Sequence, residues 1–107
     1  MKRSNLNTQL GKLITPFHIV DFFQELTGVT LEEIRSKNST ARVVDVRKAM
    51  VPLLEELCDY RYTDIMHFMD KKSGVIGNYM TNIKPLHMDW YTQAKDKLKE
   101  NVNNYYI

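Results

Sequence analysis

One stripe of side chains constrains the fold more than any other feature. Val43, Val46, Met50, Leu53, Leu54 and Leu57 recur at three- and four-residue steps, the spacing that lines apolar groups along one side of an α-helix. Such a helix has to be covered by other elements, so this stretch is expected to be the longest core element and the spine of the domain. Pro52 lies inside the pattern. It has no backbone N–H and its ring crowds the preceding turn, which predicts a kink rather than a break.

Local signals place further helices around that spine. Thr15 suits a cap, Pro16 a first helical position and Gly28 the residue just past the end, giving a helix from Pro16 to Thr27 with Ile19, Phe23 and Leu26 on one face. Thr30-Leu31-Glu32-Glu33 has the spacing of a reciprocal cap and predicts a short second helix that gives way to the polar loop Ser36-Lys37-Asn38-Ser39. Residues 61–68 read as a short fourth helix and residues 69–72 as a tight turn. Ser73 is expected to cap a fifth helix carrying Ile76, Tyr79, Met80 and Ile83 on one face and stopping before Pro85. Two short helices across a tight turn make a helix-turn-helix candidate. A sixth helix over about residues 88–103 sets Tyr91, Ala94, Leu98 and Val102 on one side. Strand signals are confined to Val43-Val44 and the terminal Tyr105-Tyr106-Ile107, so the expected fold is an all-α, compact bundle of about six helices.

A chain of 107 residues suffices for one domain with a core of its own. Its 43% apolar and 26% charged residues are those of a soluble globular protein. Residues 1–12 read as a flexible basic arm. The start MKR continues into polar SNLNTQ, unlike a signal peptide, and no segment has the roughly 18 apolar residues that span a bilayer. A cytoplasmic protein with no membrane partner is expected. The lone cysteine, Cys58, reads as a small core residue. A net charge of +2 is weak, so any nucleic-acid reading rests on where the cations fall.

Catalytic chemistry finds little to work with. His18, His67 and His87 are far apart and form no ligand pair with a neighbour, and the adjacent acids Glu32-Glu33 and Glu55-Glu56 point to different sides of their helices. There is no glycine-rich phosphate loop and no nucleophile elbow. The expectation is therefore a protein that is not an enzyme and has neither metal nor cofactor. The cations say more. Lys37, Arg42, Arg47 and Lys48 lie in the loop before the spine and in its first turns, and Lys71 and Lys72 mark the start of the fifth helix. If these two groups share one side, they form a cationic surface able to grip DNA phosphates.

Ile19-Val20-Asp21-Phe22-Phe23, Val29-Thr30-Leu31-Glu32-Glu33-Ile34-Arg35-Ser36-Lys37, Arg42-Val43-Val44-Asp45-Val46-Arg47-Lys48-Ala49-Met50 and Asp64-Ile65-Met66-His67-Phe68, in that order, resemble the C-terminal DNA-binding domain (domain IV) of the bacterial replication initiator DnaA. The likeness covers residues 15–86. It implies a Trp-repressor-like helical domain over residues 13–87 with a helix-turn-helix, followed by a C-terminal helical extension over residues 88–107. It also implies phosphate contacts for Lys37 and Arg47. Ser39 stands where the family's minor-groove arginine would be. Met69-Asp70-Lys71-Lys72-Ser73-Gly74-Val75-Ile76 stands where the family carries its Gly-Gly-Arg-Asp-His-Thr-Thr-Val signature, so the initiator's own target box is not the expected target.

Together these readings predict a stand-alone protein that binds double-stranded DNA as a replication accessory or transcriptional regulator of a bacterium, phage or mobile element. Lys37, Arg42, Arg47, Lys48, Lys71 and Lys72 are expected on phosphates, and Ser73, Gly74, Val75 and Asn78 toward the bases, Asn78 being suited to adenine. The rival reading is a protein–protein interaction module that kept the fold and lost specific DNA binding. Trp90, Tyr91 and the terminal Tyr105-Tyr106-Ile107 would mark a partner surface, or a homodimer through the last helix.

Overall fold

The computed structural model describes residues 14–106, with side chains through residue 100; the basic arm expected over residues 1–12 lies outside the described residues. Among these, six helices and no strand are found: α1 Pro16–Thr27, α2 Leu31–Arg35, α3 Ala41–Leu57, α4 Tyr62–Met69, α5 Ser73–Tyr79 and α6 Pro85–Tyr106. The chain is an all-α bundle.

α3 is the spine. It touches each of the other five helices, and Val43, Val46, Met50, Leu53, Leu54 and Leu57 are all buried along it. The helix runs on through Pro52, which has no N–H to offer the Lys48 carbonyl one turn back. At 22 residues against 17, α6 is longer than α3. It packs mainly on α3, with Ala94 and Leu98 buried. Cys58 is buried at the end of α3. Its thiol donates to the Ile14 carbonyl at 3.3 Å, and burial pushes its pKa up to about 12.

The first two helices begin where their caps put them. Thr15 Oγ1 accepts from the His18 N–H while His18 Nδ1 accepts from the Thr15 N–H at 3.0 Å. Gly28 ends α1 in the left-handed region at φ 81°, its N–H bonded to the Gln24 carbonyl. The Thr30 and Glu33 side chains exchange the same kind of bonds at the start of α2.

Past α4 the structure departs from expectation. α5 is capped by Lys72, with Ser73 its first helical residue rather than its cap, and it ends at Tyr79. Asn82, left-handed at φ 53°, then redirects the chain. Met80 and Ile83 therefore leave the buried face of Ile76 and Tyr79 and are each 42% exposed. α6 starts at Pro85, not near residue 88, because His87 serves as its cap: Nδ1 accepts the Lys84 N–H at 3.0 Å. The ring is buried, and Nε2 lies 2.7 Å from Asp45 Oδ1 on α3. With Nδ1 an acceptor, Nε2 carries the proton and donates to the carboxylate. α6 is thus continuous across residues 87 and 88.

Candidate nucleic-acid interface

The two cation groups meet, though not as the spacing suggests. Arg47 is only 2% exposed. Its Nε donates to the Ile34 carbonyl at 3.0 Å, and its terminal nitrogens donate to the carbonyls of Asn38 (2.6 Å), Glu33 (3.0 Å) and Ser36 (2.8 Å). These are the carbonyls at and just beyond the end of α2, where no further turn of helix supplies N–H partners and where a positive charge suits the helix dipole. The guanidinium also lies 5.9 Å from the centre of the Tyr79 ring of α5. Arg47 is therefore corrected from a surface phosphate contact to an internal tie joining α2, α3 and α5.

Lys71 completes this tie from the other side. Its ammonium donates to the Ser36 carbonyl at 2.7 Å and the Arg35 carbonyl at 3.0 Å, so Ser36 accepts from both cations. Burial, reinforced by the Arg47 charge, holds the Lys71 ammonium below its ordinary pKa of 10.5. Arg35 adds a third link, its Nε donating to the Phe68 carbonyl at 2.8 Å with the guanidinium 5.2 Å from the Phe68 ring centre. The turn between α4 and α5 is thereby fastened to the loop after α2. Lys37 follows Ser36, Lys72 follows Lys71, and both are exposed. The other two cations are directed elsewhere: exposed Arg42 donates to the Thr27 carbonyl at the end of α1 at 3.3 Å, and half-buried Lys48 reaches the Asn82 carbonyl at 3.4 Å.

α5 lies across this clamp with a divided surface. Ile76 and Tyr79 are buried, whereas Ser73, Gly74, Val75 and Asn78 are exposed. Tyr62, the first residue of α4, donates its hydroxyl to the Ser73 carbonyl. Gly77 leaves it room, since a Cβ there would stand 3.3 Å from the Tyr62 hydroxyl. The four residues expected to face bases thus share the outside of a short helix whose first turn is pinned. Asp70 is exposed in the turn itself, left-handed at φ 53°, and its carboxylate interrupts the run of cations.

In the described part of the last helix, Trp90 and Tyr91 are used internally. Trp90 packs edge-on against Phe23 with ring centres 6.2 Å apart. Tyr91 donates to the Glu56 carboxylate, which also lies 3.1 Å from the Lys95 ammonium. Burial alone would push the Glu56 carboxyl up, but the Tyr91 and Lys95 hydrogen bonds and the charges of Lys95 and Lys99 together hold it below 4.5. The side chains of Val102, Tyr105, Tyr106 and Ile107 lie outside the described residues.

Motif reasoning passes over Arg35 and Tyr62, which build the site, and His87, which joins α6 to α3. For His87 a signal exists: Lys84-Pro85-Leu86-His87 repeats the arrangement of Thr15-Pro16-Phe17-His18, and both histidines accept the cap residue's N–H through Nδ1. Among the described residues no helix is long and apolar enough to cross a membrane. No family model, curated protein or solved structure matches the chain. The likeness to the initiator domain rests on the quoted residues alone.

Proposed function

We propose that the protein binds double-stranded DNA by docking α5 in the major groove, as a replication accessory or transcriptional regulator in a bacterium, phage or mobile element. The observation that carries this reading is the outer face of α5. Small or polar residues at Ser73, Gly74 and Asn78 stand exposed beside Lys72, and Lys71 fastens that end of the helix to the loop bearing Lys37. Lys37 and Lys72 would meet phosphates, with Arg42 farther along the α1 side. Asn78 offers an amide of the kind that pairs with an adenine edge. Arg47 and Lys71 would hold the two phosphate-binding segments in register without touching DNA through free charges, and the resemblance to the initiator domain supports the same docking mode. Selection of bound duplexes from a random-sequence pool at moderate salt tests it. Enrichment of one motif, lost on Asn78→Ala, is expected; recovery of no duplex contradicts it.

A second reading, an interaction module without DNA, is favoured by one observation. Met80, Ile83 and Met88, 42–54% exposed, stand around a groove beside α3. On that reading the selection recovers nothing and the groove carries the function.

A further inference from the structure

Where α5 ends early, it leaves an open groove of about 250 Å³ between α3, the α5–α6 connection and the first turn of α6. Pro52 lies in its lining with Met80, Ile83 and Met88, the last three 42%, 42% and 54% exposed. Isolated apolar side chains on a surface need no explanation, but three around one concavity mark a contact face. Methionine adds adaptability, because its unbranched thioether fills irregular gaps.

The charges at the two ends of this groove say what fits it. Lys48 and Glu55 both line it from α3, seven residues or about 10 Å apart along the helix. The exposed Glu55 carboxylate has no hydrogen bond or ion pair among the described residues, and the Lys48 amine reaches only the Asn82 carbonyl. The face is therefore positive at one end, apolar in the middle and negative at the other. That pattern is complementary to itself when reversed, which is the condition a two-fold interface must meet and an unrelated partner need not.

We propose that two copies of this chain pair across the groove about a two-fold axis, with the α3 helices antiparallel. The Lys48 of each copy faces Glu55 of the partner subunit, and the methionines of each enter the other's groove. The pairing does not depend on DNA. Because Met80 directly follows α5, it would also fix the separation of two α5 helices.

Sedimentation equilibrium of the full chain, without DNA and over a concentration series, tests the pairing. The unaltered protein is expected to show a reversible monomer–dimer equilibrium. K48E and E55K each set like charges opposite one another twice and raise the dissociation constant about tenfold or more. The double variant K48E/E55K restores both pairs, returning the constant to within about threefold of the original. Circular dichroism checks that all three remain helical. A monomer at every concentration overturns the proposal and leaves the groove to another protein or to the chain's own residues 1–13. A dimer indifferent to both single reversals, or one the double variant fails to rescue, overturns it as well.

Discussion

Arg47 and Lys48 are neighbours in sequence, yet they serve different regions of the molecule. Arg47 turns inward and is engaged by four backbone carbonyls around the end of α2. Lys48 turns toward an apolar groove where it meets one carbonyl at 3.4 Å. On the first side Arg47 and Lys71 are satisfied by backbone carbonyls and the elements are locked together. On the second, charge and apolar surface are left open. A cation in a helix start is thus no evidence of a phosphate site until its donors are accounted for. On the proposed reading, the cations that would meet phosphate are those that follow a locked residue in sequence, Lys37 after Ser36 and Lys72 after Lys71.

The largest expected effect breaks the locked side. Arg47→Ala strands several buried carbonyls and should lower unfolding free energy by about 3 kcal/mol or more, read by urea denaturation. Lys48→Ala one position later should stay within about 0.5 kcal/mol. Equal effects would erase the distinction between the two regions. Next in size is His87→Leu, which removes both the cap on Lys84 and the bond to Asp45 and should cost about 2 kcal/mol. Thermal melts of this variant should show α6 loosening from α3, and an unchanged melt would deny His87 its role. Thr30→Ala removes the cap of α2, whose other end Arg47 holds, and should cost about 1 kcal/mol.

The smallest effect is a pH dependence at the Glu56–Lys95 pair. The Glu56 carboxyl is held below its unfolded value of 4.5, so its contribution is complete above that value and disappears as pH falls through the lowered folded one. Lys95→Met should make the acid-side decline in stability shallower, with a total change under about 1 kcal/mol because the pair is partly exposed. A steeper decline would give the pair the wrong sign.

What the sequence revealed follows how local each cause is. The start of α1 and of α2 depends on residues three positions apart, and Thr15, Gly28, Thr30 and Glu33 can be read directly. The early end of α5 depends on Asn82, whose side chain tolerates the left-handed region but does not announce it. Pro85 reads as a stop for one helix and is in fact the first residue of the next, because His87 two positions on caps it. Arg47 is the instructive case. It stands four residues after Val43 and three before Met50, inside the apolar stripe, so its spacing already pointed inward while its charge suggested the surface. Which carbonyls would receive it depended on the tertiary meeting of α2 with α3. The exposed face of α5 was legible from the burial pattern of Ile76 and Tyr79, but its attachment to Ser36 through Lys71 was not.

The most direct test of the account is the salt dependence of binding to a duplex of arbitrary sequence, followed by fluorescence anisotropy for the unaltered protein and for Lys37→Ala/Lys72→Ala. If α5 docks between these two cations, log affinity falls linearly with log salt, and the double variant flattens that slope by about two units, one for each lost phosphate contact. An affinity indifferent to salt, or a slope the double variant leaves unchanged, contradicts the account.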